Sequence, residues 1–298
     1  MSAGRPASRT AWRVAVRRAT HQLLDRPRVL DDPIALPILG DEMAAALRND
    51  PAAEDRGPFD KFLRAFMVAR ARFAEDHVQA ARERGVAQYV ILGAGLDTFA
   101  YRQRPGDPPV RLWEVDHPVT QAWKRERLLD ARIPVPSNVR YVPVDFERDA
   151  LPSALERAGF DRGAGAAFSW LGVTMYLTES AIDATLAFIA SVCGPAGGVA
   201  FDYAMDPELL TPAQRAVVDA LAARVAAAGE PWRTTFSPEG LAVGLARLGF
   251  GQIEDAGGDE LNARYFAGRS DGLRVGGAAR IVWATCATHS VAQQRLLR

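Results

Sequence analysis

The run Tyr89-Val-Ile-Leu-Gly-Ala-Gly-Leu-Asp-Thr-Phe-Ala-Tyr-Arg102 constrains this chain most, because a short apolar strand breaks into two glycines and then meets an acid. Glycine carries no Cβ, so Gly93-Ala94-Gly95 lets the backbone turn sharply and pass close to a ligand. The pattern predicts a strand feeding a cofactor loop. A dinucleotide-binding loop of this kind wants a third glycine three residues after the second, where this chain has Thr98. That argues against NAD or FAD.

A second strand, Val110-Arg-Leu-Trp-Glu-Val-Asp116, ends in carboxylates where an α/β nucleotide site needs an acid for the ribose hydroxyls. A carboxylate at a strand end can accept two hydroxyl hydrogen bonds in a fork, so Asp116 is the preferred ligand. Glu114, two residues back and on the same side of the strand, is its rival.

These residues resemble the leucine carboxyl methyltransferase-like group of class I S-adenosylmethionine (SAM)-dependent methyltransferases, many of them bacterial. The resemblance rests on LGAGLDTFAYR (92–102), EVDHP (114–118) followed by Lys124, VPVDFERD (142–149) and SWLGVTMYLT (169–178), and it covers roughly residues 28–290. It implies SAM as the cofactor, with Gly93 and Gly95 beside its methionine part and Asp116 on the ribose. In similar enzymes an acidic–apolar pair after the third strand recognises adenine, which assigns Asp145 and Phe146 to that role. The usual apolar partner is leucine, so Phe146 is a mild departure. The resemblance assigns the first arginine of Val-Ala-Arg-Ala-Arg-Phe, Arg70, to the SAM α-carboxylate, which a guanidinium can grip with two parallel bonds. Arg72 is the alternative. A larger departure follows the fourth strand: relatives commonly carry a glutamate in an EGxxxYL arrangement, and this chain has Leu171-Gly172-Val-Thr-Met-Tyr176-Leu177. Leu171 stands in the cofactor position, and Ser169 or Thr174 is left to supply the missing hydrogen bonding. Asp97 is read evenly as a helix cap or a cofactor contact. Tyr176 and Tyr203 are candidates to face the methyl-transfer site.

The expected fold is a Rossmann-like α/β class I methyltransferase. Residues 1–85 read as a helical extension, with Asp32-Pro33 marking a helix start and Phe59–Arg84 a long amphipathic helix. Beyond it, strands at 88–93, 110–115, 139–144, 166–171, 198–204, 251–256 and 279–286 alternate with helices, notably 119–130 and 179–192. That makes a seven-stranded, mostly parallel sheet, and the resemblance implies an antiparallel last strand. Between strands six and seven only a glycine-rich, charged loop is expected. The catalytic core is 86–298, with 206–237 inserted as a helical lid.

Thirty-six basic residues cancel thirty-six acidic ones, which implies no nucleic-acid partner. The basic cluster Arg9–Arg18 is short, and it is read as a solvated terminus. No apolar run reaches membrane-spanning length, and no secretory leader is evident, so a cytoplasmic, non-membrane protein is expected. Cys193 and Cys286 lack metal-ligand spacing, and the four histidines are scattered, so no metal site is expected. The expected acceptor is a small molecule or peptide, methylated on a carboxylate or acidic hydroxyl oxygen, in a role such as secondary metabolism. The rival functions are a SAM-binding protein without catalysis and a NAD-dependent oxidoreductase.

Overall fold

The computed structural model describes residues 8–103, 106–146 and 148–286. The chain opens with helices α1 (Arg9–Leu24), α2 (Asp41–Asn49) and α3 (Asp60–Glu83). It then alternates through β1 (Gln88–Leu92), β2 (Arg111–Asp116), α4 (Pro118–Asp130), β3 (Val139–Pro143), α5 (Leu151–Arg157), β4 (Ala167–Trp170), α6 (Glu179–Val192) and β5 (Gly198–Asp202). Helices α7 (Pro212–Ala226) and α8 (Pro238–Arg247), strand β6 (Phe250–Gly257), helix α9 (Gly258–Tyr265) and strand β7 (Arg280–Cys286) complete it.

The sheet order is β3-β2-β1-β4-β5-β7-β6. Strands β1 to β5 pair in parallel, and β7 runs antiparallel to both β5 and β6. Every residue of β1, β4 and β5 is buried, as a sheet covered on both faces requires. Alternation sorts β1 between two cores: Tyr89 and Ile91 pack under α3, whereas Val90 and Leu92 pack with residues of α5, α6 and α8. A third cluster joins Ala15, Val16 and Ala19 of α1 to Leu47 and Leu128, so the first helices are docked rather than trailing.

Local chemistry starts several of the helices. Thr178, Thr211 and Ser237 each accept a backbone N–H at the N-terminus of α6, α7 and α8, and the last two stand before proline. Two expectations fail. Gly258–Tyr265 is a helix, α9, whose buried residues are only Gly258 and Leu261, so it lacks the apolar stripe that advertises one. Asp32 does accept a hydrogen bond from the Ile34 N–H, but a turn follows rather than a helix. Its other oxygen is committed to Arg18 and Thr98, 14 and 66 residues away.

Cys193 and Cys286 are joined as a disulfide across 93 residues. The bond is unusual for the cytoplasmic setting expected from the sequence, where thiols are kept reduced. Among the described residues no helix is long and apolar enough to cross a membrane.

Candidate active site

The chain leaves β1 toward β2 and β3 on one side, then returns to place β4 on the other. The crevice between the carboxyl ends of β1 and β4 is therefore the topological switch point, where open α/β sheets bind ligands. A cavity of about 280 Å³ lies there, lined by the segments after β1, β2, β3 and β4 and by α1.

The glycine loop forms its floor. Gly93 adopts φ +65°, and a Cβ there would stand 2.3 Å from Val173 Cγ2; Gly95 adopts φ +44° with Ala11 above it. The positive φ strains any other residue at both positions, and at Gly93 a Cβ would also have to displace Val173. Asp116 closes the side of the loop, its carboxylate accepting the Gly95 N–H at 2.5 Å and the His117 N–H at 2.6 Å. Burial pushes this carboxyl above its ordinary value, against the pull of those two amides.

Asp116 and Glu114 share a strand face but not an environment. Glu114 is 1% exposed, pairs with Lys124 Nζ at 2.7 Å and accepts the Tyr101 hydroxyl, and it lies outside the cavity lining. Of the two, only Asp116 lines the cavity. Asp145 and Phe146, after β3, line it too, as do Ser169 within β4 and Leu171 and Gly172 just after it. Ser169 accepts the Tyr89 hydroxyl at 2.8 Å, whereas Thr174 is buried, donates to the Asp202 carbonyl and lies outside this cavity.

Arg70, near the middle of α3, reaches the same crevice. Its Nη1 pairs with Asp202 Oδ2 at 2.7 Å, and the other oxygen of Asp202 accepts the Gly172 N–H at 2.6 Å. Gly172 has φ +71°, and a Cβ there would meet Arg70 Nη2 at 2.9 Å. One buried carboxylate thus ties the long helix to the loop after β4. Arg72 instead points outward to Asp76 and lines neither this cavity nor the one beside it.

Asp97 accepts the Phe99 N–H at 2.8 Å, capping the short turn that follows, while also lining the cavity. Thr98 bonds to Asp32, Arg18 and Arg102, which fastens α1 to the glycine loop. Burial opposes ionisation of Asp32, yet the guanidinium groups of Arg18 and Arg102 hold its carboxyl below the ordinary value. His117 serves as the α4 N-cap, its Nδ1 accepting the Val119 N–H.

A second cavity of about 390 Å³ adjoins the first. Thr10, Val14, Met67, Arg70, Gly172 and Tyr176 line both, so they mark the passage between them. Its walls come from α1, α3 and the 206–237 insertion, with Val217, Val218, Leu221 and Val225 forming the inward stripe of α7. Tyr176 stands at the passage; burial pushes its phenol above the ordinary value, with Trp232 and Thr10 partly offsetting this. Tyr203 lines only the second cavity, and its hydroxyl donates to Asp255 Oδ2 at 2.7 Å. Helix α1 also roofs the first cavity through Ser8, Thr10, Ala11, Val14, Ala15 and Arg18, so it covers both chambers. Ser8 and Thr10 clasp Glu230 of the loop after α7.

Asp202, Arg18 and Glu230 were not evident from the sequence. Asp202 carried a usable signal, a strand-end acid after an apolar run like that of Asp116. The other two depend on contacts across 80 and 222 residues.

The cradle meets the demands of a nucleoside cofactor: a floor of two positive-φ glycines, one strand-end carboxylate inside the crevice, and an acidic–apolar pair beside it. Fold and site define a class I methyltransferase. Residues 11–190 match the leucine carboxyl methyltransferase family, and the chain belongs to it. A Bacillus subtilis relative named as the S-adenosyl-L-methionine-dependent methyltransferase YktD is 30% identical, covering 90% of this chain and 94% of its own length. A Mycobacterium avium relative with the same description is 35% identical over 201 residues, 66% of each chain. A Thermobifida fusca methyltransferase structure, 17% identical, superposes with a TM-score of 0.56 over 96% of this chain and 97% of its own. The protein is a SAM-dependent methyltransferase.

Proposed function

We propose that the protein transfers the SAM methyl group to a carboxylate or acidic hydroxyl oxygen of a small molecule or peptide held in the second cavity, in a role such as secondary metabolism. When bound, SAM supplies an electrophilic methyl on a sulfonium, so the protein's share is alignment and exclusion of water, worth about 7–11 kcal/mol. Asp116 would hold the ribose diol, Asp145 and Phe146 the adenine, the Gly93–Gly95 backbone and Leu171 the methionine part, and Arg70 its carboxylate. With Asp202 already on one arm of Arg70, the remaining guanidinium N–H groups are the ones left for that carboxylate.

The observation that carries the oxygen reading is the absence of a ready base among the described residues at the passage. Burial keeps the Tyr176 phenol protonated at neutral pH, so it can donate a hydrogen bond but not remove a proton. Asp202 is bound by Arg70 and the Gly172 amide, and the Tyr203 hydroxyl is given to Asp255. An acceptor already ionised near pH 7 needs no base, which suits a carboxylate or an acidic hydroxyl.

Incubation with methyl-labelled SAM and a panel of carboxylic acids, phenols and amines tests this. Base-labile ester or stable ether products are expected. Exclusive methylation of amines would refute the oxygen reading, and SAM binding without turnover on any acceptor would favour a SAM-binding protein without catalysis.

A further inference from the structure

The charges around the second cavity do not balance. Arg13, Arg17, Arg70, Arg224 and Arg274 line it, and Asp202 is the one acidic residue among its described lining. Asp202 is spent on Arg70. Just outside, Asp60 serves two of the others, Arg17 at 2.8 Å and Arg224 at 3.5 Å. Arg13 stands one turn before Arg17 on the inward face of α1. Its Nη1 is buried and has no hydrogen-bond partner. Leaving a guanidinium N–H buried and unsatisfied costs stability, and such a group in a ligand cavity is commonly completed by the ligand.

The rest of the wall is apolar. Phe59, Phe62, Leu63 and Phe66 face the α7 stripe across the cavity. A cationic donor in an apolar chamber selects an amphipathic anion: the body is buried for its area, and the charge gains bonds that a neutral or cationic head cannot make.

We propose that Arg13 is the specificity-determining residue of the acceptor cavity, and that the acceptor is an amphipathic anion whose charged group it holds. This rests on the reading of the first cavity as the SAM site, so the test begins with that site. Wild type, Arg13→Gln, Arg13→Lys and Arg274→Gln are titrated with S-adenosylhomocysteine, which all four should bind with equal affinity. Failure there falls on the cofactor reading or the fold, not on Arg13, and Arg13→Lys then carries the comparison should Arg13→Gln not fold.

The loaded proteins are next titrated calorimetrically with 3-phenylpropanoate, 3-phenylpropan-1-ol and 3-phenylpropylammonium, which share one body and differ in the head. The wild type should bind the carboxylate at least tenfold more tightly than the alcohol, and the ammonium most weakly. Arg13→Gln should bring carboxylate and alcohol within about twofold while leaving the alcohol unchanged, and Arg13→Lys should retain part of the preference. No binding of any probe, equal affinity for the three heads, an unaltered preference in Arg13→Gln, or loss of preference only in Arg274→Gln would each overturn the proposal.

Discussion

Exchanging either carboxylate of the second strand for alanine should produce two different failures, although the residues lie two positions apart. Asp116 faces the crevice and accepts two amide N–H groups, leaving lone pairs for a ribose diol. Each charge-assisted bond lost is worth about 1.5–3 kcal/mol, so Asp116→Ala should cost about 3 kcal/mol or more in SAM binding, roughly a hundredfold in Kd. Glu114 has no cavity contact, but its loss strands Lys124, 1% exposed, without its ion-pair partner. Breaking a buried pair from one side costs about 3–5 kcal/mol of stability. Glu114→Ala should therefore unfold at markedly lower denaturant while the folded fraction still binds SAM within a few-fold of wild type. Chemical denaturation and calorimetric SAM titration of both variants separate the two. Equal losses of affinity, or a larger loss at Glu114, would refute the assignment.

Arg70→Lys should weaken SAM binding at least tenfold by losing the two-pronged grip, whereas Arg72→Lys, which alters only an exposed pair with Asp76, should leave it unchanged; calorimetry on both decides. Glu230→Ala removes the clasp on Ser8 and Thr10, and stopped-flow measurement should show SAM leaving several-fold faster; an unaltered off-rate would mean that α1 does not gate the crevice. Asp32 is held below its ordinary value, so its contribution to stability is complete above the unfolded carboxyl value of about 3.9 and is lost as pH falls through the lower folded value. Asp32→Asn should then flatten the fall in stability below about pH 4 while lowering stability at neutral pH, and denaturation curves across that range check it.

The parallel core was legible because its strands are apolar runs bounded by turn residues, and because the Gly93 loop follows one of them directly. Helix α9 was not, since eight residues with so little buried apolar surface carry no periodic signal. Asp32 shows the limit of local rules: its bond to the Ile34 N–H is the bond a helix cap would make, and only the partners at Arg18 and Thr98 reveal its other role. The choice between Asp116 and Glu114 was open for the same reason, because Lys124 and Tyr101 had to be placed in space before Glu114 could be seen as paired. The acceptor cavity is the least legible part. Its wall gathers α1, α3 and α7, whose apolar stripes look like ordinary packing faces until their facing surfaces are found to enclose a chamber.

The most direct measurement of the central claim is a crystal structure with S-adenosylhomocysteine bound. The account predicts ribose hydroxyls on Asp116, adenine between Asp145 and Phe146, and the sulfur turned toward the passage at Tyr176 and Arg70, facing the second cavity. A ribose away from Asp116, or a sulfur pointing away from that passage, would contradict it.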